Sequence, residues 1–142
     1  MRLQSAIFSL EDTLTGHEDT DKVLSILKME GVWMYAVTDL PRADAERALR
    51  ELGLTDYFRG ILTAAEAGCK ASEARMYEKA MRRLRSTLRD TVVFVGRPEA
   101  LRNAKAAGFR TAAVAGAADA EEWAAMRSEA EEIVENYRDF LA

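Results

Sequence analysis

Cysteine and histidine are almost missing from this chain of 142 residues: Cys69 and His17 are the only ones. A single cysteine excludes a disulfide framework. One residue of each kind also leaves too few ligands for a cysteine-rich zinc site or a His-pair metal motif. Such a composition suits a reducing compartment. Long apolar runs are missing too. None approaches the ~18 residues of a membrane-spanning helix, and the N-terminus has no basic stretch followed by an apolar core and a small-residue cleavage site. A cytosolic (cytoplasmic) location is therefore expected, with no membrane contact. Excess positive charge is also lacking: 20 Lys and Arg stand against 24 Asp and Glu, a net charge of -4, with the two signs interspersed. Without a broad cationic face, nucleic acid is not an expected partner. No repeat, linker or low-complexity tract interrupts the chain.

What is present is a balanced globular composition. Apolar residues make up 49% of the chain and charged residues 31%, enough for one domain, residues 1–142, to bury a core. Strand and helix patterns take turns. "AIFS" from Ala6, "VWMYAVT" (Val32 to Thr38) and "TVVFVG" (Thr91 to Gly96) read as strands, with "GILT" and "RTAAVAG" as weaker candidates. The continuous apolar run of "TVVFV" implies burial on both faces, as in a parallel sheet covered by helices. Between the strands, "DTDKVLSILKMEG" places Val23, Leu24, Ile26 and Leu27 at helical spacing and stops at Gly31. "RADAERALRELGL" does the same with Ala45, Ala48, Leu49 and Leu52. "ASEARMYEKAMRRLR" follows with Ser72 as the expected N-cap, and "PEALRNAKAAG" has Pro98 in its first turn. The fold class expected is α/β, a doubly wound, mainly parallel sheet with right-handed crossovers. At the C-terminus a helix, a short edge element and a closing helix are expected, with Trp123, Met126, Ile133, Tyr137 and Phe140 packing inward or onto a second subunit. Trp33, Met34 and Tyr35 read as core or sheet-face packing.

Ligands of such sheets sit outside the carboxyl ends of the strands. The residues there are Ser9, Glu11, Asp12 and Thr13 after the first strand, Thr38 and Asp39 after the second, and Gly96, Arg97 and Glu99 after the fourth; Lys70 precedes a helix on the same side. This set resembles the four motifs of the haloacid dehalogenase (HAD) superfamily, in order and with similar spacing. "IFSLEDTL" is similar to its first motif, "YAVTDLP" at Thr38 to its second, "GCKASEARMYEKA" at Lys70 to its third, and "FVGRPEALRNAKAAGF" to its fourth. The resemblance implies a HAD-like Rossmannoid core. It also implies a core without a cap domain, since only about ten residues separate Leu14 from the next helix interior. A capless core implies an open crevice or a homodimer that covers it.

In active members of that superfamily an aspartate of the first motif attacks phosphorus and a second handles the leaving-group proton. Carboxylates of the first and fourth motifs hold Mg²⁺, while the Thr and Lys orient phosphoryl oxygens. Here Ser9 stands for the first aspartate, Glu11 for the second and Arg97 for the fourth-motif acid. A serine hydroxyl is a weak nucleophile without an adjacent base. A guanidinium in place of a carboxylate removes a metal ligand and adds a fixed positive charge. Ser9, Glu11 and Asp12 thus form a degenerate catalytic motif, and neither Mg²⁺ nor any other cofactor is expected. Thr38, Lys70 and Arg97 are the candidate anion-binding residues. For Arg97 the alternative is a structural salt bridge to Glu11 or Asp12; for Thr38, a hydrogen bond to its own backbone; for Ser9, a plain strand-end cap. His17 and Cys69 are given no role. The expected function is a non-catalytic binding protein for a phosphorylated small molecule or a protein partner. The alternative is a weak or divergent phosphatase, in which Glu11 or Asp12 activates water, and a purely structural, oligomerising subunit is the third.

Overall fold

The computed structural model describes residues 4–141, with side chains to residue 139. Six parallel strands form one sheet: β1 (Ser5–Ser9), β2 (Trp33–Thr38), β3 (Phe58–Thr63), β4 (Thr91–Val95), β5 (Arg110–Val114) and β6 (Glu132–Val134). Their spatial order is β3-β2-β1-β4-β5-β6. Ser5 pairs with Trp33 on one side and Thr91 on the other, so the strands beginning near Ala6, Val32 and Thr91 are adjacent at the centre. The order reverses at β1, and the crevice outside β1 and β4 is the ligand position of such sheets.

The strands are apolar at both parities because helices cover both faces. Ala6 and Phe8 pack on one side with Met34 and Ala36, under α2 (Thr20–Met29) and α3 (Arg42–Leu52). Ile7 packs on the other with Val37 and Val93, under α5 (Ala74–Arg83), α6 (Pro98–Ala106) and α7 (Ala120–Glu129). Phe8 stacks on Phe94 with ring centroids 4.4 Å apart. Each such fully buried side chain contributes about 1.5–3 kcal/mol of transfer free energy. Two one-turn helices, α1 (Leu10–Thr13) and α4 (Ala64–Ala67), follow β1 and β3 directly. Only α1 and α2 lie between β1 and β2, and only α3, a 3-10 turn, β3 and α4 between Thr38 and Lys70, so no cap is evident in either interval. Among the described residues no helix is long and apolar enough to cross a membrane.

Several local expectations are corrected. Glu73, not Ser72, is the N-cap of α5; its carboxylate accepts from the Lys70 backbone N–H at 2.8 Å, while the Ser72 carbonyl accepts from Asn103. Loop closure outcompetes the serine cap. Ile26 and Leu52 are 41% and 37% exposed rather than buried, because α2 and α3 each present a narrow stripe to the sheet. Strand β2 starts at Trp33 rather than Val32. The Trp33 ring is half-exposed under the Arg59 guanidinium, 4.0 Å from its centroid, whereas Met34 and Tyr35 are buried. The C-terminal segment has the expected helix and edge strand, but a 3-10 turn at Tyr137–Leu141 stands where a closing helix was expected. Met126 and Tyr137 are buried, Trp123 and Ile133 pack at the margin, and the packing expected of Phe140 lies outside the described residues.

Candidate functional site

The end of β1 is fixed from three sides. Ser9 precedes α1 in extended geometry, and its hydroxyl caps nothing. The Thr13 hydroxyl instead reaches back one turn and donates to the Ser9 carbonyl at 2.7 Å. From the far end of the chain, the buried Tyr137 hydroxyl donates to the Thr13 carbonyl at 2.9 Å. Gly96 closes the third side. A Cβ there would lie 2.8 Å from both the Cβ and the carbonyl oxygen of Asp12, so only glycine lets β4 end this close to α1.

Glu11 and Asp12 leave this turn in different directions. The Glu11 carboxylate spans to the end of β2: its Oε1 accepts from the Thr38 hydroxyl at 2.7 Å, and its Oε2 from the Asp39 backbone N–H at 3.2 Å. Thr38, fully buried, also accepts from the Leu40 N–H at 3.0 Å. Asp12 faces Arg97, with Nε of the guanidinium 3.6 Å from Oδ1. Asp39 accepts from the Ala71 N–H at 2.9 Å and ties the β2 end to the loop carrying Lys70. Lys70 itself is exposed, and its ammonium makes no hydrogen bond or ion pair among the described residues. The structure therefore brings Thr38 to Glu11 and Arg97 to Asp12, and links Lys70 to neither through a side-chain contact.

Of these residues Asp12, Asp39 and Arg97 line an open crevice of about 640 Å³ over the β1 and β4 ends, whereas Ser9, Glu11, Thr38 and Lys70 are not part of its lining. Asp12, Asp39 and Arg97 form part of its wall, with Pro98 and Glu99 from α6 and Glu121 from α7 at the rim. Six acidic and two basic side chains line it, which limits how tightly an anion can be held. Among the described residues, no group of three or more His, Cys, Asp or Glu side chains could hold a metal ion. The Ser9 hydroxyl makes no hydrogen bond to a base among the described residues; His17 packs edge-on against Tyr137 with centroids 5.3 Å apart, and its pKa is lowered by burial, opposed by a hydrogen bond involving the Ala115 backbone.

A family model described as haloacid dehalogenase-like hydrolase matches residues 3–96. The chain belongs to the haloacid dehalogenase-like hydrolase family. A search of curated protein sequences finds no match. Among solved structures, the core domain of a protein designated a phosphoglycolate phosphatase from Streptococcus pneumoniae is 17% identical with a TM-score of 0.72, covering 99% of this chain and 94% of that one. A predicted phosphatase from Clostridium acetobutylicum is 22% identical, TM-score 0.71, covering 87% of this chain and 56% of that one. A haloacid dehalogenase-like family hydrolase from Streptococcus pneumoniae is 14% identical, TM-score 0.73, covering 87% and 57%. The chain thus spans little more than half the length of the two hydrolase chains, and nearly all of the core domain. At these identities the likeness concerns the fold of a HAD core.

Two helix starts, one of them beside the crevice, carry sequence signals that the sequence reading does not use. Thr63-x-x-Glu66 and Asp119-x-x-Glu122 are both reciprocal capping boxes, at the starts of α4 and α7. Glu66 is further clamped by Arg42, whose Nε and Nη2 donate to its two oxygens at 2.6 and 2.8 Å. The reach of Glu11 to Thr38 had no sequence signal, because it depends on the register of β1 against β2.

Proposed function

We propose that this HAD-family chain no longer performs aspartyl-phosphate chemistry and acts in the cytosol by binding a phosphorylated small molecule in the crevice at the β1 and β4 ends. The observation that carries this reading is the pairing of Arg97 with Asp12. A guanidinium occupies the place where the family pattern puts a metal-binding acid, and it neutralises an inherited carboxylate. The pair is only partly buried, with Arg97 half-exposed, so the outer edge of its planar fork is available to a phosphoryl oxygen. The side chains present do not fit the Mg²⁺ of the family: a hydroxyl and a guanidinium replace two of its carboxylates, and a cation would meet the Arg97 charge. Thr38 and Lys70 complete the proposed anion-binding set, Lys70 by side-chain motion from its exposed loop. The surplus of acids supports weak, salt-sensitive binding rather than tight capture. A protein partner presenting a phosphoryl group, or a second subunit, would meet the same open face.

The competing reading is a slow phosphohydrolase, favoured by the relatives described as phosphatases. Against it, Glu11 accepts two hydrogen bonds and Asp12 faces a guanidinium, so neither carboxylate is poised to activate water. Two paired measurements test the proposal. Turnover of p-nitrophenyl phosphate with Mg²⁺ is expected at background in wild type and in Ser9→Ala alike. Inorganic phosphate, titrated at low salt, is expected to bind wild type and to bind Arg97→Ala several-fold more weakly. Turnover that disappears in Ser9→Ala overturns the non-catalytic reading, and phosphate binding indifferent to Arg97→Ala removes the arginine from the site.

A further inference from the structure

The acceptor on the Thr38 hydroxyl and the Asp39 N–H is the protein's own Glu11 carboxylate. The Leu40 N–H occupies a lone pair of the Thr38 oxygen at 3.0 Å, which turns the single hydroxyl proton outward. That proton and the Asp39 N–H form two donors side by side at the end of β2, and the two oxygens of the Glu11 carboxylate sit on them at 2.7 and 3.2 Å. A carboxylate bridging two adjacent donors has the same form as two oxygens of a bound phosphoryl group. A side chain one methylene shorter would stop short of both donors.

We propose that Glu11 is a built-in competitor for the oxyanion seat of Thr38 and Asp39, so that a phosphoryl ligand binds only when the Glu11 side chain swings out. This inference rests on the reading that the crevice takes a phosphoryl group, and adds what controls its access. A ligand then sees only the fraction of molecules whose seat is open, and its apparent affinity falls by that fraction. If Glu11 fills the seat nine-tenths of the time, vacating it strengthens binding about ten-fold. Glu11 also sets a selectivity: a ligand must offer oxygens that these donors prefer to a tethered carboxylate, which favours a dianionic phosphate monoester over a monocarboxylate.

The test is a titration of inorganic phosphate, with acetate in parallel, followed by the Asp39 amide resonance in wild type, Glu11→Asp and Glu11→Gln. Glu11→Asp keeps the charge but withdraws it from the seat, and Glu11→Gln keeps the length but weakens the grip. Glu121→Gln, on the crevice rim, removes one acid without touching the seat and reports the purely electrostatic gain. Phosphate is expected to bind Glu11→Asp about ten-fold more tightly than wild type and Glu11→Gln by an intermediate factor. Glu121→Gln should gain no more than about two-fold, and adding Thr38→Val to Glu11→Asp should abolish the gain. If wild type binds phosphate through Arg97 but Glu11→Asp binds no better, or if Glu121→Gln gains as much, the competitor is refuted while the binding reading stands. If neither wild type nor any Glu11 variant binds phosphate, both fall together.

Discussion

The contact between the end of β4 and the first-strand turn can be probed with one methyl group, at Gly96→Ala. The backbone at Gly96 is outside the left-handed region, so alanine is not strained there by its dihedrals. On chain entropy alone the substitution would stabilise the fold by about 0.4–1 kcal/mol. The neighbourhood reverses the sign. The new Cβ would lie 2.8 Å from the Cβ of Asp12 and 2.8 Å from its carbonyl oxygen, and a backbone oxygen cannot rotate away as a flexible side chain can. Overpacking of this kind costs about 1–3 kcal/mol. The net expectation is a loss of roughly 1–2 kcal/mol, which for a chain of this size lowers Tm by about 3–10 °C. Equilibrium unfolding in urea reads it directly: the midpoint should fall while the slope stays unchanged, since the surface exposed on unfolding is the same. A Gly96→Ala protein as stable as wild type, or more stable, would refute the claim that α1 and the end of β4 are held against each other.

Other outcomes follow from the same geometry. Tyr137→Phe removes the donor to the Thr13 carbonyl at a fully buried position and should cost about 1–3 kcal/mol in urea unfolding, since the carbonyl is left without its partner. Arg42 holds the Glu66 carboxyl down at about 2 from an ordinary 4.5, mainly through their hydrogen bonds; because the folded value is the lower one, the pair's stabilisation is full above pH 4.5 and fades as pH falls toward 2. Both side chains are more than a third exposed, so the effect should not exceed about 1 kcal/mol, and Arg42→Ala should bring Glu66 back toward 4.5 in an NMR titration. Millimolar Mg²⁺ is expected to leave the wild-type Tm unmoved, whereas Ser9→Asp combined with Arg97→Asp should begin to show Mg²⁺-dependent stabilisation; the absence of any such rise would sink the assignment of those two positions to the lost metal site.

The sheet was readable because its strands carry the simplest signal a chain can carry. β4 is apolar at every position after Thr91, and only a strand covered on both faces reads that way. Edge strands and helix termini were less legible. Ser72 looked like a cap, but Glu73 and the carbonyl of Ser72 are committed to closing the Lys70 loop, a choice made by tertiary contacts rather than by propensity. Ile26 fitted the helical stripe by spacing, yet a narrow contact with the sheet leaves it outside. At the site, sequence order brought Thr38 and Arg97 to the correct end of the sheet. It left open which acid each would meet. Glu11 or Asp12 could have paired with Arg97, and the answer depends on a one-turn helix that points the two neighbouring carboxylates apart.

The place of β1 in the middle of the sheet has a consequence during synthesis. Its first neighbour, β2, follows closely, but its second, β4, is separated from β2 by two helix-bearing crossovers. At ~5–20 residues per second the ribosome needs on the order of 3–12 s to advance from Trp33 to Thr91. Throughout that interval the nascent chain carries a strand with an apolar centre, Ala6 to Phe8, and one row of unpaired backbone groups, the kind of edge that recruits other chains. Slow codons between β2 and β4 would lengthen this exposure and slow codons after β4 would not, so the yield of soluble protein should depend on where in the message translation pauses.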